Sequence, residues 1–101
     1  MIEHWDIQVD GQLTEANMRA KLLARGYTID KYIYPPGTYF PDHSHKVDKI
    51  DGVLSGQFRL TMHGQSLILT AGDCIVVPRG VMHSAGVIGY EPVVSLDAIK
   101  M

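Results

Sequence analysis

From Thr28 onward the chain divides into eight short β-rich runs, most of them closed by a turn signal, and this rhythm restricts the fold more than any other feature. The runs span residues 28–34, 38–45, 48–54, 57–62, 66–70, 74–77, 81–88 and 92–99. Pro35-Pro36-Gly37, Ser55-Gly56, His63-Gly64, Ala71-Gly72-Asp73, Arg79-Gly80 and Gly89 separate them. These residue types stop a strand and turn the backbone, through fixed φ in proline and free φ in glycine. In 57–62, Phe58, Leu60 and Met62 alternate with Gln57, Arg59 and Thr61, as in a sheet with one face on a core. His63-Gly64 takes the place of a two-residue hairpin loop. Eight strands of this length and spacing predict an all-β sandwich or jelly-roll barrel.

One helix precedes them, predicted over residues 14–25. Thr14 is its N-cap, Glu15 lies in the first turn, and Arg25 and Gly26 supply the stop signals. Met18, Leu22 and Leu23 form a modest apolar stripe, enough to pack the helix on the outside of the main body. The chain is therefore expected to be a single domain over 1–101, an N-terminal extension with this helix followed by a barrel over about 28–99.

Composition excludes several classes of function. A formal charge of −2 with no basic run gives no footprint for nucleic acid or an anionic membrane. No apolar stretch approaches the roughly 18–20 residues that span a bilayer. The N-terminus lacks the basic and apolar regions of a signal peptide. Cys74 is the only cysteine, which rules out an internal disulfide and fits a cytoplasmic location. A chain this small without staples gains from association, so a homodimer is expected.

Chemistry concentrates in two stretches. In the first, His43 and His45 sit at i and i+2, on one face of a strand if the strand continues through both. The second runs Pro78-Arg79-Gly80-Val81-Met82-His83 and ends in a third imidazole just beyond a Pro-x-Gly turn. Three histidines converging from two strands suit a transition metal, since neutral imidazole binds several of them well.

In order, the first stretch reads Gly37, five residues, His43, one, His45, three, Lys49, six, Gly56; the second reads Gly72, five, Pro78, one, Gly80, two, His83. This resembles the two signature motifs of the cupin superfamily, in its small single-domain, RmlC-like form. The resemblance covers roughly residues 34–94 and implies a double-stranded β-helix, or jelly roll. It implies that His43, His45 and His83 are metal ligands and that Gly37, Gly56, Gly72 and Gly80 occupy turns and bends. Two positions depart from the pattern: Lys49 stands where most cupins carry a glutamate ligand, and Val87 where an asparagine is common. An ammonium cannot coordinate, yet three imidazoles alone still make a competent site.

If the strand is unbroken from His43 to Asp51, Lys49 and Asp51 face the barrel interior and can pair there. Alternatively, Asp51 reaches the metal or a bound water while Lys49 binds an anionic substrate, or a bulge turns Lys49 outward and brings in Asp48. His4 and His63 lie outside the motifs and are expected to be non-ligands. Cys74 reads as a small buried hydrophobe, Arg79 as solvated, and Tyr32, Tyr34, Tyr39, Phe40, Phe58 and Met82 mostly as core or pocket wall.

The implied function is a small cupin that holds a divalent transition metal (Fe, Zn, Ni or Mn) through His43, His45 and His83 and acts on or senses a small molecule. Its enzymatic form would be a metal-dependent dioxygenase or isomerase, with Lys49 and Asp51 as candidate catalytic groups. The alternative is a non-catalytic small-ligand binding or sensing module, metal-free, with a Lys49–Asp51 pair in its pocket. Expected partners are a small molecule and a second copy of the chain, with no nucleic acid and no membrane.

Overall fold

The turn residues place the strands much as their spacing predicts. A computed structural model describes residues 1–101. After a four-residue helix α1 (Ile7–Asp10) comes α2 (Glu15–Ala24), then β1 (Thr28–Tyr34), β2 (Tyr39–His43), β3 (Asp48–Ser55), β4 (Gln57–Met62), β5 (Gln65–Leu69), β6 (Cys74–Val77), β7 (His83–Ile88) and β8 (Val93–Lys100). The strands form two antiparallel four-stranded sheets, ordered β1-β8-β3-β6 and β2-β7-β4-β5. This is the jelly roll the two motifs imply. At the β4–β5 hairpin Met62 pairs with Gln65, and the two loop residues take φ of 55° at His63 and 73° at Gly64. Both values are positive, as the tightest hairpin turn requires.

Period-two alternation divides the residues of the first sheet between two cores. Val53, Ile75, Val77 and Val93 face the second sheet and pack with Phe58, Leu60, Leu69 and Ala85. Their neighbours Ile50, Cys74, Leu96 and Ala98 face the other way, onto Met18 and Leu22 of α2. The helix thus covers the outer face of the first sheet. Thr14 caps it by accepting from the Asn17 amide at 3.0 Å. Met18 and Leu22 are fully buried, each contributing about 1.5–3 kcal/mol. Their close approach depends on Gly52, where an added Cβ would lie 2.9 Å from Met18 Sδ.

The N-terminal segment finishes the edge of this sheet. Glu3 forms a two-way backbone bridge with Cys74 on β6, at 2.8 and 2.9 Å. His4 Nδ1 lies 2.6 Å from Asp73 Oδ1. Helix α1 was not legible in the sequence: it is four residues long, carries no buried side chain, and its one signal is Asp6 accepting from the Gln8 amide.

Candidate metal centre

His43 and His83 are direct cross-strand partners on β2 and β7, their ring centroids 4.2 Å apart. His45 joins them by a different route from the one its spacing suggests. Pairing between β2 and β7 shifts register between Phe40 and His43, and β2 ends at His43. His45 therefore lies in the β2–β3 connection, where Gly80 N donates to its carbonyl at 2.9 Å. The motif-two turn thus holds the motif-one histidine in place. The ligand atoms of all three residues lie within 4.8 Å of one another.

Backbone carbonyls orient two of the rings. His43 Nδ1 lies 2.7 Å from Pro41 O and His83 Nδ1 2.9 Å from Val81 O. A carbonyl oxygen only accepts, so Nδ1 carries the proton in each ring and the Nε2 lone pair is free. Metal-binding histidines are oriented by such hydrogen bonds. His45 Nε2 is buried with no hydrogen-bond partner. Burial, followed by neighbouring positive charge, holds His45 below the ordinary imidazole value. Burial also lowers His83, against the opposing pull of its bond to Val81. Free Nε2 lone pairs on two oriented rings and one orphaned buried nitrogen fit a divalent transition metal.

Lys49 and Asp51 enter the same cavity, although the strand is broken between Ser44 and Val47. β3 restarts at Asp48 in a phase that turns Lys49, Asp51 and Val53 inward. Asp48 is not the inward residue: its carboxylate accepts from the Arg79 amide at 2.9 Å and caps the motif-two turn. Lys49 Nζ lies 3.5 Å from Asp51 Oδ1 and 3.3 Å from Asp97 Oδ2. The pair expected between Lys49 and Asp51 is thus half of a three-membered cluster.

Asp97 escaped the reading of the sequence, although its strand did not. Alternation from Val93 through Ser95 already turns it inward; only the register of β8 against β3, which sets Asp97 opposite Asp51, shows what it meets. Ser95 Oγ donates to its Oδ1 at 2.8 Å, and the Tyr34 hydroxyl approaches its Oδ2 at 3.4 Å.

The cluster is electrostatically lopsided. Burial disfavours the Lys49 ammonium, but Asp51 and Asp97 outweigh it and raise its pKa above the lysine norm. The two carboxylates therefore favour the charged form of Lys49. Burial raises the Asp51 carboxyl and the charge of Asp97 adds to this, against the pull of Lys49. The Tyr34 phenol is pushed up strongly, first by burial and then by the two carboxylates, so it stays a neutral donor.

Tyr34, Phe40 and Phe58 wall the cavity, whose volume is about 170 Å³. Tyr32, Tyr39 and Met82 do not belong to it or to the core: they are 45%, 65% and 58% exposed. His63 sits at the tip of a hairpin and His4 at the N-terminal bridge, so neither reaches the cluster.

The profile described as the cupin domain matches residues 31–99. The chain belongs to the cupin family. A gentisate 1,2-dioxygenase from a Ralstonia species is 33% identical over 67 residues, covering 65% of this cupin and 19% of the dioxygenase. An RmlC-like cupin from Shewanella frigidimarina superposes with a TM-score of 0.65 at 26% identity, covering 72% of this chain and 64% of that one. KdgF from a Halomonas species superposes with a TM-score of 0.65 at 24% identity, covering 74% and 70%. The cupin thus spans about a fifth of the dioxygenase it matches.

Proposed function

We propose that this cupin holds a divalent transition metal through Nε2 of His43, His45 and His83 and acts on a small molecule bound beside it. The observation that carries this reading is the pinning of His43 and His83 by Pro41 O and Val81 O, which leaves their lone pairs beside the partnerless His45 Nε2. When bound, the metal would supply Lewis acidity or activate oxygen or water. Lys49 and Asp51 are the polar groups nearest such chemistry. Lys49 positions charge, and Asp51 receives or holds a proton. The dioxygenase relative supports an enzymatic form, of dioxygenase or isomerase type. The metal is Fe, Zn, Ni or Mn.

Elemental analysis of protein purified without a histidine tag tests this. One equivalent of metal is expected in the parent chain, with sharp loss in His43→Ala, His45→Ala and His83→Ala but not in His4→Ala or His63→Ala. Equal metal content in all six proteins would sink the proposal. Lys49, in place of a carboxylate ligand, favours the second reading: a metal-free module that binds or senses a small ligand. That reading expects no metal in any of them.

We also propose a homodimer formed through β1. This strand pairs only with β8, leaving its outer backbone edge open, and it exposes Tyr32 and Ile33. Cys74, buried and unpaired, supports a reducing cytoplasmic setting.

A further inference from the structure

Asp51 and Asp97 stand directly opposite each other on β3 and β8, both facing the cavity. Like charges in such a pair repel. Lys49 reconciles them, but it does not make them equivalent. Asp97 accepts from Lys49, Tyr34 and Ser95. The Asp51 side chain is only 9% exposed, and its Oδ1 has no well-formed hydrogen bond; Lys49 Nζ stands at 3.5 Å, the edge of hydrogen-bond reach. A buried carboxylate oxygen without a donor is costly, and the residue that carries it lines the cavity that the histidines share.

Charge balance narrows what could complete it. One ammonium and two carboxylates leave this end of the cavity with a net negative charge. The histidine end becomes more positive when a divalent ion binds. The cation at Lys49 is therefore already matched, and it offers no welcome to an anion.

From this we infer that Asp51 recognises ligand: its carboxylate receives a hydrogen bond from a hydroxyl or amine of the bound molecule, and the pocket selects a short molecule with one anionic or lone-pair end for the histidines and a donor at the other. The assignment of the histidine end rests on the metal site proposed above. Asp51 supplies the recognition; Asp97 and Lys49 act through it as positioning residues.

Three probes of related shape test the inference: 3-hydroxypropionate, butyrate and succinate. Each is titrated by calorimetry and NMR into zinc-loaded protein and into protein stripped with EDTA. The parent chain is expected to bind 3-hydroxypropionate about tenfold more tightly than butyrate, the scale of a hydrogen bond to a charged acceptor, with succinate also weaker than 3-hydroxypropionate. Stripping should weaken all three and keep their order. Asp51→Ala should erase the preference for the hydroxyl. Asp51→Asn, which keeps shape and an acceptor, should reduce it even if the alanine variant fails to fold. Equal binding of 3-hydroxypropionate and butyrate, a preference for succinate, an unchanged preference in the Asp51 variants, or no binding of any probe in either form would overturn it. Failure to take up zinc counts against the metal site, while the order in stripped protein still decides the role of Asp51.

Discussion

Lys49→Met keeps the length of the side chain and deletes its charge, leaving Asp51 and Asp97 face to face with no counter-ion. Lys49 is 12% exposed and the aspartates 9% and 17%, so water screens the cluster little. At the observed 3.3 and 3.5 Å, each attraction is about 5 kcal/mol at an effective dielectric constant of about 20, before desolvation is subtracted. Removing one member of a buried pair typically costs about 3–5 kcal/mol, because the partner is left charged and dry. Urea denaturation of EDTA-treated protein at neutral pH should show a loss of that size, a large part of the roughly 5–15 kcal/mol that holds a domain together. The pH dependence has a definite sign. Without Lys49 the Asp51 carboxyl, already raised by burial, rises further above its unfolded value, so its ionisation opposes folding more strongly. The penalty is full above the folded pKa and fades as pH falls through it, and the gap from the parent protein should narrow toward about pH 4. Lys49→Met/Asp51→Asn should recover most of the loss, as a double-mutant cycle would show. A loss below about 1 kcal/mol, the worth of an exposed ion pair, would refute the reasoning.

Lys49→Glu puts a carboxylate where most cupins carry a ligand, so divalent-metal affinity should rise by about tenfold or more, or ~1.4 kcal/mol, in titration calorimetry. The same variant, stripped of metal, holds three carboxylates and should melt lower than the parent, regaining stability as metal is added. Cys74 should resist alkylation in the native state. Burial pushes its thiol up to about 11, so the thiolate grows only as pH rises toward that value, and mass spectrometry should find it unmodified at about pH 8 until the protein unfolds. Light scattering at micromolar concentration should give the mass of two chains, and a charged residue at Ile33 should shift it to one; a monomer in the parent protein would refute the dimer.

The fold was legible because its turns are spelled in proline and glycine, and the strands between them alternate cleanly, as at Phe58, Leu60 and Met62. Where a break carries no such residue, reading failed locally. Ser44 to Val47 contains neither, so one strand through His43 and His45 was expected where the structure ends β2 and sends His45 into a connection. The histidines still converge because a tertiary bond, Gly80 N to His45 O, replaces strand continuity. The inward Lys49 was expected on condition of an unbroken strand; the strand breaks, and Lys49 faces inward because β3 restarts at Asp48 in the matching phase. Its second partner was not, because Asp97 meets Lys49 through the pairing of β3 with the far end of the chain. Tyr39 and Met82 show the opposite error: a large apolar side chain at the rim of a barrel need not be inside it.

The Glu3–Cys74 bridge has a consequence for how copies of the chain can add to one another. A sheet with two free margins is divalent, and each copy that joins leaves a margin for the next, so growth need not stop. In the sheet ordered β1-β8-β3-β6, the N-terminal segment occupies the margin at β6, leaving β1 as the single vacant one. Through this sheet, copies can only pair off, while the second sheet keeps its own edges at β2 and β5. Cutting away the first five residues would restore the second valence and, with it, a route from dimers to open-ended chains.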